Sequence, residues 1–323
     1  DFCLSRGLGD VYKRQMYYFI VNPNSRSGKG ALIWKELRRT LRQKHISYKA
    51  VFTGYRGHAV KLAASITAKA SPEHPVYLIA VGGDGTIQEV LSGVKDLSCI
   101  YFGYIPTGSG NDFCRSMQLP QDPHEALDCI LKRKHIASMD VPVISIKGRK
   151  SHFAISCGIG FDAAVCHEVS VTPMKKILNR VGLGKLVYLF VALKQLLFLK
   201  PVPVTLRMDE ERIYPFHKVY FAAVMNQKYE GGGFKFCPDA SPSDGYLDVI
   251  VVDGLSKLKV LFCLPTAFWG KHTQFTGIHI FRCKKVEVFS TVPLAVHKDG
   301  ESAGIQETFS VSIEKEPVKI ILP

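Results

Sequence analysis

The sequence predicts two domains: an α/β domain with a three-layer, mostly parallel sheet over residues 16–138, and a β-sandwich domain over residues 139–323. Apolar runs of strand length alternate with helix-like stretches up to residue 138, which is typical of βα units. After Asp140 the strand-like runs are rich in Val, Ile and aromatic residues, which favours a sandwich. A chain of 323 residues, 46% of them hydrophobic, can form both cores.

The first domain is expected to contain four strand–helix units. An apolar run ended by turn residues predicts strands at Tyr17–Val21, Ser47–Phe52, Val76–Val81 and Ile100–Ile105. Helical periodicity predicts helices at Gly30–Arg42, Gly57–Lys69 and Thr86–Val94, a short helix after Asn111, and a last helix at Pro123–Lys134.

The second domain is expected to be mainly strands. These are Val141–Ile146, His152–Cys157, Val202–Met208, Lys218–Asn226, Leu247–Val252, Lys285–Phe289 and Phe309–Ile313. Helices are expected at about 173–199 and 256–268. Packing of the C-terminal end against the first domain is an alternative to its place in the second domain. The apolar stretch Leu186–Leu199 is shorter than the roughly 18–20 residues that a membrane span needs, so it predicts an amphipathic helix. Packing on the body is favoured over lying at a bilayer interface.

Residues 1–15 fit neither domain. They have no hydrophobic periodicity, and no apolar core follows a basic start as in a signal peptide. We therefore expect a non-native leader, with Met16 as the true start. A disordered native arm is the alternative.

The most informative stretch is Gly-Gly-Asp-Gly-Thr at 82–86, between a buried strand and a helix. Glycines let the backbone approach a phosphate, and the following helix offers free N–H groups. A carboxylate at Asp84 would repel phosphates unless a divalent cation lay between them, so the loop predicts Mg²⁺ as well as a nucleotide. An ordinary tight turn is the alternative.

Two further loops follow neighbouring strands, at 22–30 and 106–112, and both are rich in Gly, Ser, Thr and Asn. Ligands of open α/β sheets bind at the carboxyl ends of strands, so three such loops favour one site over three unrelated turns. Neither the P-loop spacing nor a GxGxxG after a strand is present.

The formal net charge is +14, with 42 Lys and Arg against 28 Asp and Glu. This favours an anionic partner, and a membrane surface with anionic lipids fits best. Nucleic acid is not expected, because no basic run is interleaved with aromatics and no helix-turn-helix or zinc spacing occurs. A basic surface that only aids solubility is the alternative.

The nine cysteines include no C-x-x-C pair and predict buried thiols in a reducing cytoplasm.

Six segments in order resemble one family. Asn-Pro-x-Ser at 22–25, Gly-Gly-Asp-Gly-Thr at 82–86 and Pro-x-Gly-Ser-x-Asn-Asp at 106–112 are similar to the diacylglycerol kinase catalytic domain. Thr53 with 57–59, the Pro- and Asp-rich run 238–248 and Asp-Gly-Glu at 299–301 extend the similarity from Met16 to the end. The chain looks most like the soluble bacterial lipid kinases related to sphingosine and ceramide kinases.

The resemblance implies ATP and Mg²⁺ as cofactors and names their contacts. The implied cofactor-binding residues are Asn22, Pro23, Asn24, Ser25, Arg26, Thr53, Gly82, Gly83, Asp84, Gly85, Thr86, Ile87, Gln88, Ser109, Asn111 and Asp112. Asp84 is implied as catalytic through Mg²⁺. Four residues depart from the family pattern without removing a needed group: Gln88 in place of Asn, Ser109 in place of the commoner Thr, and His297-Lys298 before the acidic triplet.

In the second domain the resemblance implies a general base and a metal site. Glu301 is the implied base, and the implied metal ligands are the Asp244 carboxylate with the carbonyls of Ser241 and Tyr246. On the residues alone, both segments also read as ordinary acidic turns. The loop 229–233 is expected to be a turn that contacts substrate.

The implied function is ATP- and Mg²⁺-dependent phosphorylation of the hydroxyl of a lipid alcohol, diacylglycerol first, in phospholipid metabolism. The implied location is the cytoplasm, peripherally on the inner face of the membrane, and strand edges offer a route to a homodimer. Sphingoid bases and other lipids stay open as acceptors. The alternatives are an NAD kinase-like enzyme, a non-catalytic nucleotide or lipid sensor, and a membrane-docked structural protein.

Overall fold

The computed structural model describes residues 16–171, 191 and 193–323. The expected leader at 1–15 and most of the expected helix at 173–199 lie outside these residues. The chain forms two compact units: one holds the chain up to Met139 together with Lys315–Pro323, and the other holds Asp140–Glu314.

The first unit is an α/β unit. Its strands are β1 (Tyr17–Val21), β2 (Tyr48–Phe52), β3 (Val76–Gly82), β4 (Ile100–Pro106), β5 (His135–Met139) and, from the far end of the chain, β15 (Val318–Leu322). Its helices are α1 (Ser25–Gln43), α2 (His58–Thr67), α3 (Asp84–Gly93), α4 (Asp112–Ser116) and α5 (Pro123–Lys132).

These strands form one six-stranded sheet in the order β2-β1-β3-β4-β15-β5. Every neighbouring pair is parallel except β15 with β5. The central strand β3 is buried almost throughout, as its apolar sequence predicts for a parallel sheet covered by helices. The predicted mostly parallel α/β domain is confirmed.

Two helices begin earlier than predicted. Helix α1 begins at Ser25 instead of Gly30, and α3 begins at Asp84 instead of Thr86. Ser, Asp and Gly are common where helices begin, so composition alone could not separate the end of each loop from the first turn. Arg26 and Gly28 have positive φ values of 49° and 92°, so the start of α1 is irregular.

The second unit is a β-sandwich unit. Its strands are β6 (Pro142–Ile146), β7 (Arg149–His152), β8 (Ser156–Gly160), β9 (Val202–Met208), β10 (Arg212–Met225), β11 (Leu247–Asp253), β12 (Ile278–Cys283), β13 (Lys285–Lys298) and β14 (Glu301–Ile313). Its longer helices are α6 (Phe161–Val171) and α7 (Lys257–Thr266).

Long bent strands make the two layers of this unit. The main path is β12-β11-β10-β8-β13-β14-β6-β7, and β9 pairs with both β10 and β13. Strand β10 pairs with β9 along its first half and with β8 and β11 along its second half. Residues of both layers meet in one apolar core that includes Phe153, Leu206 and Val249. The predicted β-sandwich is confirmed.

The predicted strand His152–Cys157 is two strands. Strand β7 ends at His152, β8 begins at Ser156, and the residues between them turn inward and are buried. The backbone amides of 154–156 bind the carboxylate of Asp299, which is distant in sequence. A single apolar run could not reveal that break.

In the described part of the chain, no helix has the length and apolar character needed to cross a membrane.

Candidate functional site

Three loops of the first unit meet at the carboxyl ends of β1, β3 and β4. Because these strands are parallel neighbours, their ends lie side by side. The backbone N–H of Asn22 donates to the carbonyl of Val81 at 2.8 Å, and that of Thr107 donates to the carbonyl of Gly82 at 2.7 Å. The structure therefore brings together the three loops that the sequence predicted to form one site.

Side chains also join these loops. The hydroxyls of Ser25 and Thr107 are 2.7 Å apart, and both residues are buried. The side-chain amide of Asn22 donates to the hydroxyl of Thr86 at 3.4 Å, while its carbonyl oxygen accepts the N–H of Asn24 at 3.1 Å. These contacts fix the shape of the loops from within the protein.

Glycine is required where the second and third loops touch. A Cβ on Gly108 would lie 2.7 Å from the Cα of Gly83, and a Cβ on Gly82 would lie 2.2 Å from the hydroxyl of Thr86. Neither glycine has a positive φ, so glycine is needed at these positions because there is no space for a side chain, and not because of the backbone conformation.

Asp84 and Asp112 place two carboxylates at this edge. Asp84, in the first turn of α3, accepts the N–H groups of Asp112 and Phe113 at 3.3 and 3.4 Å. A Cβ on Gly110 would lie 3.3 Å from one Asp84 oxygen and 3.9 Å from one Asp112 oxygen, so the two carboxylates flank the same point. Asp112 also contacts the guanidinium of Arg115. Carboxylate oxygens are ligands that Mg²⁺ prefers, so this pair fits the predicted cation.

Asn111 adds an acceptor beside a cavity. Its φ of 54° is left-handed, and its buried side-chain oxygen has no hydrogen-bond partner among the described residues. Asn111, Arg26 and Gly108 line a cavity of about 220 Å³ in the first unit. A buried acceptor normally has a partner, so this oxygen suits a ligand with a donor group.

The other predicted nucleotide contacts vary in how accessible they are. Thr53 is buried and donates its N–H to the carbonyl of Val21 at 2.9 Å, and Ser109 is exposed in the third loop. Ile87 is fully buried in the core, so only its backbone could face a ligand. Gln88 is also buried and donates its amide to Ser92 at 3.0 Å, which explains how this departure from the family pattern is accommodated. The remaining predicted positions lie in the loops or first helical turns described above: Pro23 and Gly85.

In the second unit, Glu301 begins β14 and pairs across the hairpin with Lys298. The turn between them has positive φ values of 46° at Asp299 and 74° at Gly300. The buried carboxylate of Asp299 accepts the N–H groups of 154–156 at 2.7 to 3.1 Å. Burial raises the pKa of Asp299 to about 6, against the opposing effect of these amides. These hydrogen bonds of Asp299 thus hold in place the turn that precedes Glu301.

Sequence reasoning missed a cluster in which partly buried Asp162 meets buried Glu230 and His297. The Nε2 atom of His297 lies 2.8 Å from an Asp162 oxygen and 3.3 Å from a Glu230 oxygen. Burial acts to lower the pKa of His297, but Glu230 and Asp162 outweigh it and raise that pKa to about 9. The only available signals were His297 as a departure from the family pattern and Glu230 in a predicted substrate loop.

The predicted metal ligands lie in a loop that contacts a positively charged side chain of β12, Arg282. Both oxygens of Asp244 have protein partners: the N–H of Tyr246 at 3.0 Å and the guanidinium of Arg282. Arg282 also lies 4.6 Å from the centre of the Tyr246 ring. Metal binding at Asp244 would require displacement of Arg282. The site at Ser241, Asp244 and Tyr246 stays a prediction.

A parallel α/β unit with glycine-rich loops gathered at one edge, followed by a β-sandwich unit, is the architecture of diacylglycerol kinase and NAD kinase structures. Residues 16–143 match the family model of the diacylglycerol kinase catalytic domain. Residues 156–321 match that of the YegS C-terminal NAD kinase beta sandwich-like domain. The chain therefore belongs to the family that is defined by this C-terminal domain, and its first domain matches the catalytic domain of diacylglycerol kinases.

Relatives of known name agree with this assignment. YtlR of Bacillus subtilis, named only provisionally as a lipid kinase, is 29% identical over 94% of this chain and 98% of its own. A diacylglycerol kinase of Mycobacterium tuberculosis is 29% identical over 87% of each chain.

Solved structures share the fold. A diacylglycerol kinase structure from Bacillus anthracis has a TM-score of 0.65 at 20% identity, covering 96% of this chain and 97% of its own. An NAD kinase from Archaeoglobus fulgidus in complex with ATP has a TM-score of 0.51 at 14% identity, covering 95% and 93%. At these identities the likeness concerns the fold alone.

Proposed function

We propose that this lipid kinase transfers the γ-phosphoryl group of ATP to the hydroxyl of a lipid alcohol, with diacylglycerol as the first candidate and phosphatidic acid as its product. The observation that carries the proposal is the joined set of three loops around Asp84, with the unsatisfied oxygen of Asn111 beside a cavity. Relatives named diacylglycerol kinase support the choice of acceptor.

In this proposal the first unit binds and orients the nucleotide. Backbone N–H groups of the loop 82–86 and the start of α3 face the phosphates, and Asn22, Ser25, Thr53 and Ser109 contact the nucleotide. Asp84 and Asp112 would hold Mg²⁺, which would neutralise the negative charge of the phosphates. Most of the rate gain then comes from positioning and charge neutralisation.

The proposed base is Glu301. Its carboxylate accepts the proton of the lipid hydroxyl as that oxygen bonds to the γ-phosphorus. The bond from the γ-phosphorus to the β–γ bridging oxygen breaks, and ADP leaves with that electron pair. The pinned turn at Asp299 supports this role, because a base must be held within hydrogen-bond reach of its proton.

The location follows from the proposed substrate. A lipid alcohol lies in a bilayer, so we propose a cytoplasmic enzyme that binds the inner membrane face peripherally. The net charge of +14 supports an anionic surface. A homodimer through an edge strand of the nine-stranded sheet stays a prediction.

The test is phosphorylation of a panel of lipid alcohols, and of NAD, with radiolabelled ATP and Mg²⁺. Asp84→Asn and Glu301→Gln should each lower kcat by about a hundredfold or more with an unchanged melting temperature. Asp128→Asn, on an exposed Asp that pairs with Lys44, is the control and should keep wild-type turnover. Wild-type turnover in either site variant would remove the role assigned to that residue.

The panel also separates the alternatives. Label in a sphingoid base or another lipid would keep the mechanism and change the acceptor. Label in NAD alone would favour an NAD kinase, whose fold this chain shares. ATP binding without any phosphorylated product would favour a sensor.

A further inference from the structure

The outer face of helix α7 exposes large apolar side chains. Leu258, Leu261 and Phe262 are spaced three and four residues apart, so they share one face of the helix. Phe268 and Trp269 follow in a short 3₁₀ helix. All five are exposed, and Phe262 and Trp269 retain 72% and 71% of their accessible surface. We call these five side chains the apolar patch.

The opposite face of α7 is apolar as well. Val260, Cys263 and Ala267, just past its end, are buried in the core of the second unit. Apart from Lys257 and Lys259 in its first turn, α7 is apolar on both faces, which is typical of a helix that is covered on both sides. In this structure the core covers one side, and the other side carries the patch.

The patch is held firmly in place. The hydroxyl of Ser256 accepts the N–H of Lys259 and caps the start of α7. The ring of Phe268 stacks on that of Phe234 at 4.1 Å, and the N–H of Lys235 donates to the carbonyl of Ala267 at 2.8 Å. The exposed rings are therefore presented by a packed element.

Lysines lie beside the patch along the chain. No Asp or Glu occurs from Gly254 to Val286, and Lys257, Lys259 and Lys271 lie in α7 or just after Trp269. The other basic residues of the segment are Arg282, Lys284 and Lys285, of which Arg282 pairs with Asp244 and Lys285 pairs with Glu210 and Glu287. The ammonium group of Lys257 also contacts the carbonyl of Leu197, which brings exposed Leu197 and Phe198 next to the start of α7.

We propose that the apolar patch docks this protein on an anionic lipid bilayer, with Phe262 and Trp269 inserted at the boundary between headgroups and acyl chains. Apolar rings beside lysines match the chemistry of that boundary, since the lysine stems can extend to the lipid phosphates. A second copy of the chain fits poorly, because its patch would bring the same positive charges together. The proposal rests on the proposed function, in which the substrate lies in a bilayer.

Tryptophan fluorescence gives a direct test without nucleotide. The chain has two tryptophans: Trp34 is 5% exposed in the first core, and Trp269 is in the patch. In a Trp34→Phe variant, vesicles of phosphatidylcholine with phosphatidylglycerol should shift the emission to the blue. Pure phosphatidylcholine should do so less, and high salt should weaken the shift. An unshifted spectrum with anionic vesicles overturns the proposal.

Matched variants test the patch in the full chain. Leu258→Ser with Phe262→Ser should weaken cosedimentation with the same anionic vesicles by about tenfold or more, with an unchanged melting temperature. Leu32→Ser with Ile213→Ser removes two similarly exposed apolar side chains elsewhere and should bind as wild type. Equal loss in both pairs overturns the proposal. The proposal is also overturned if the patch variant binds vesicles as well as the wild type does. This holds even if the variant changes from a dimer to a monomer.

Failure of the docking site and failure of the proposed function are distinguishable. The patch variant should retain turnover on a short-chain diacylglycerol dissolved as monomers and lose it on vesicle-embedded diacylglycerol. If the wild type phosphorylates no lipid but binds vesicles through the patch, the proposed function fails and the docking site stands. If lipid is phosphorylated and the patch variant binds vesicles normally, only the docking site fails.

Discussion

His297 shows how one buried residue can hold several elements together. It lies on β13 directly across from Gly158 of β8, and a Cβ on Gly158 would lie 2.8 Å from its Nε2 atom. Asp162 reaches it from the first turn of α6, and Glu230 reaches it from the loop after β10. The hairpin that carries Glu301 is thus held by contacts from three elements, which supports the proposal that Glu301 is the base, because a base must be held in one position.

This cluster should make stability depend on pH. Burial acts to lower the pKa of His297, but Glu230, Asp162 and, to a smaller extent, Asp299 raise it from 6.5 to about 9. A raised pKa means that the folded protein binds the proton more tightly. The stabilisation is therefore complete below pH 6.5 and is lost as the pH rises through 9. The loss should be up to about 3 kcal/mol of the free energy of unfolding.

Urea unfolding at pH 6.5 and 9 checks this. His297→Gln should be less stable than the wild type at pH 6.5 and should lose less stability on going to pH 9. His272→Gln is the control. Burial lowers the pKa of His272, so its removal should not change the loss of stability between pH 6.5 and 9. An identical pH slope in His297→Gln and the wild type would contradict the charge assignment.

At the scale of elements, the ends of neighbouring parallel strands bring their loops into contact. The loops after β3 and β4 touch backbone to backbone, so a side chain between them should separate them. Gly108→Ala should weaken ATP binding and lower the free energy of unfolding by about 1–3 kcal/mol. Calorimetric titration with ATP and thermal unfolding measure both. Gly54→Ala is the control, because its Cβ would meet nothing closer than 3.8 Å and its φ is negative. Wild-type ATP affinity in Gly108→Ala would show that the contact does not shape the site.

A second element-scale prediction concerns the loop of Asp244. Because Arg282 neutralises its carboxylate, Mg²⁺ or Ca²⁺ without nucleotide should change the melting temperature of the wild type little. Arg282→Gln should lower that temperature slightly, since partly exposed pairs contribute about 1 kcal/mol or less, and should make it rise with added cation. Arg212→Gln breaks a similar pair with Asp209 and serves as the control. A cation-dependent rise in the wild type that disappears in Asp244→Asn would instead establish the metal site.

At the scale of the whole molecule, the chain leaves its first sheet and returns to it. After the second unit, β15 inserts between β4 and β5 of the first sheet. Its residues Val318, Ile320 and Ile321 are almost completely buried. The first unit is therefore complete only when the last residues of the chain have folded.

The return strand should be essential for stability. Ile320→Ala should lower the free energy of unfolding by about 2–5 kcal/mol, because it leaves a cavity at a fully buried position of the sheet. Ile305→Ala, on an exposed strand position, should change it by about 0.5 kcal/mol or less. Denaturant unfolding of both variants provides the comparison. A small effect at Ile320 would mean that the first sheet is stable without β15.

Local sequence determined the features that depend on neighbours along the chain. The apolar runs of β1, β3 and β4 and the glycine-rich segments after them predicted the sheet, the loops and the place of Asp84, because burial pattern and turn chemistry are local. The break between β7 and β8 and the cluster around His297 were not predictable. They depend on contacts between Asp299 and 154–156, and between Asp162, Glu230 and His297, which only the packed chain brings together. The same holds for Arg282 beside Asp244 and for the outer face of α7. The sequence predicted a helix at about 256–268, but only the tertiary structure decided which charges are paired and which face of the helix is left exposed.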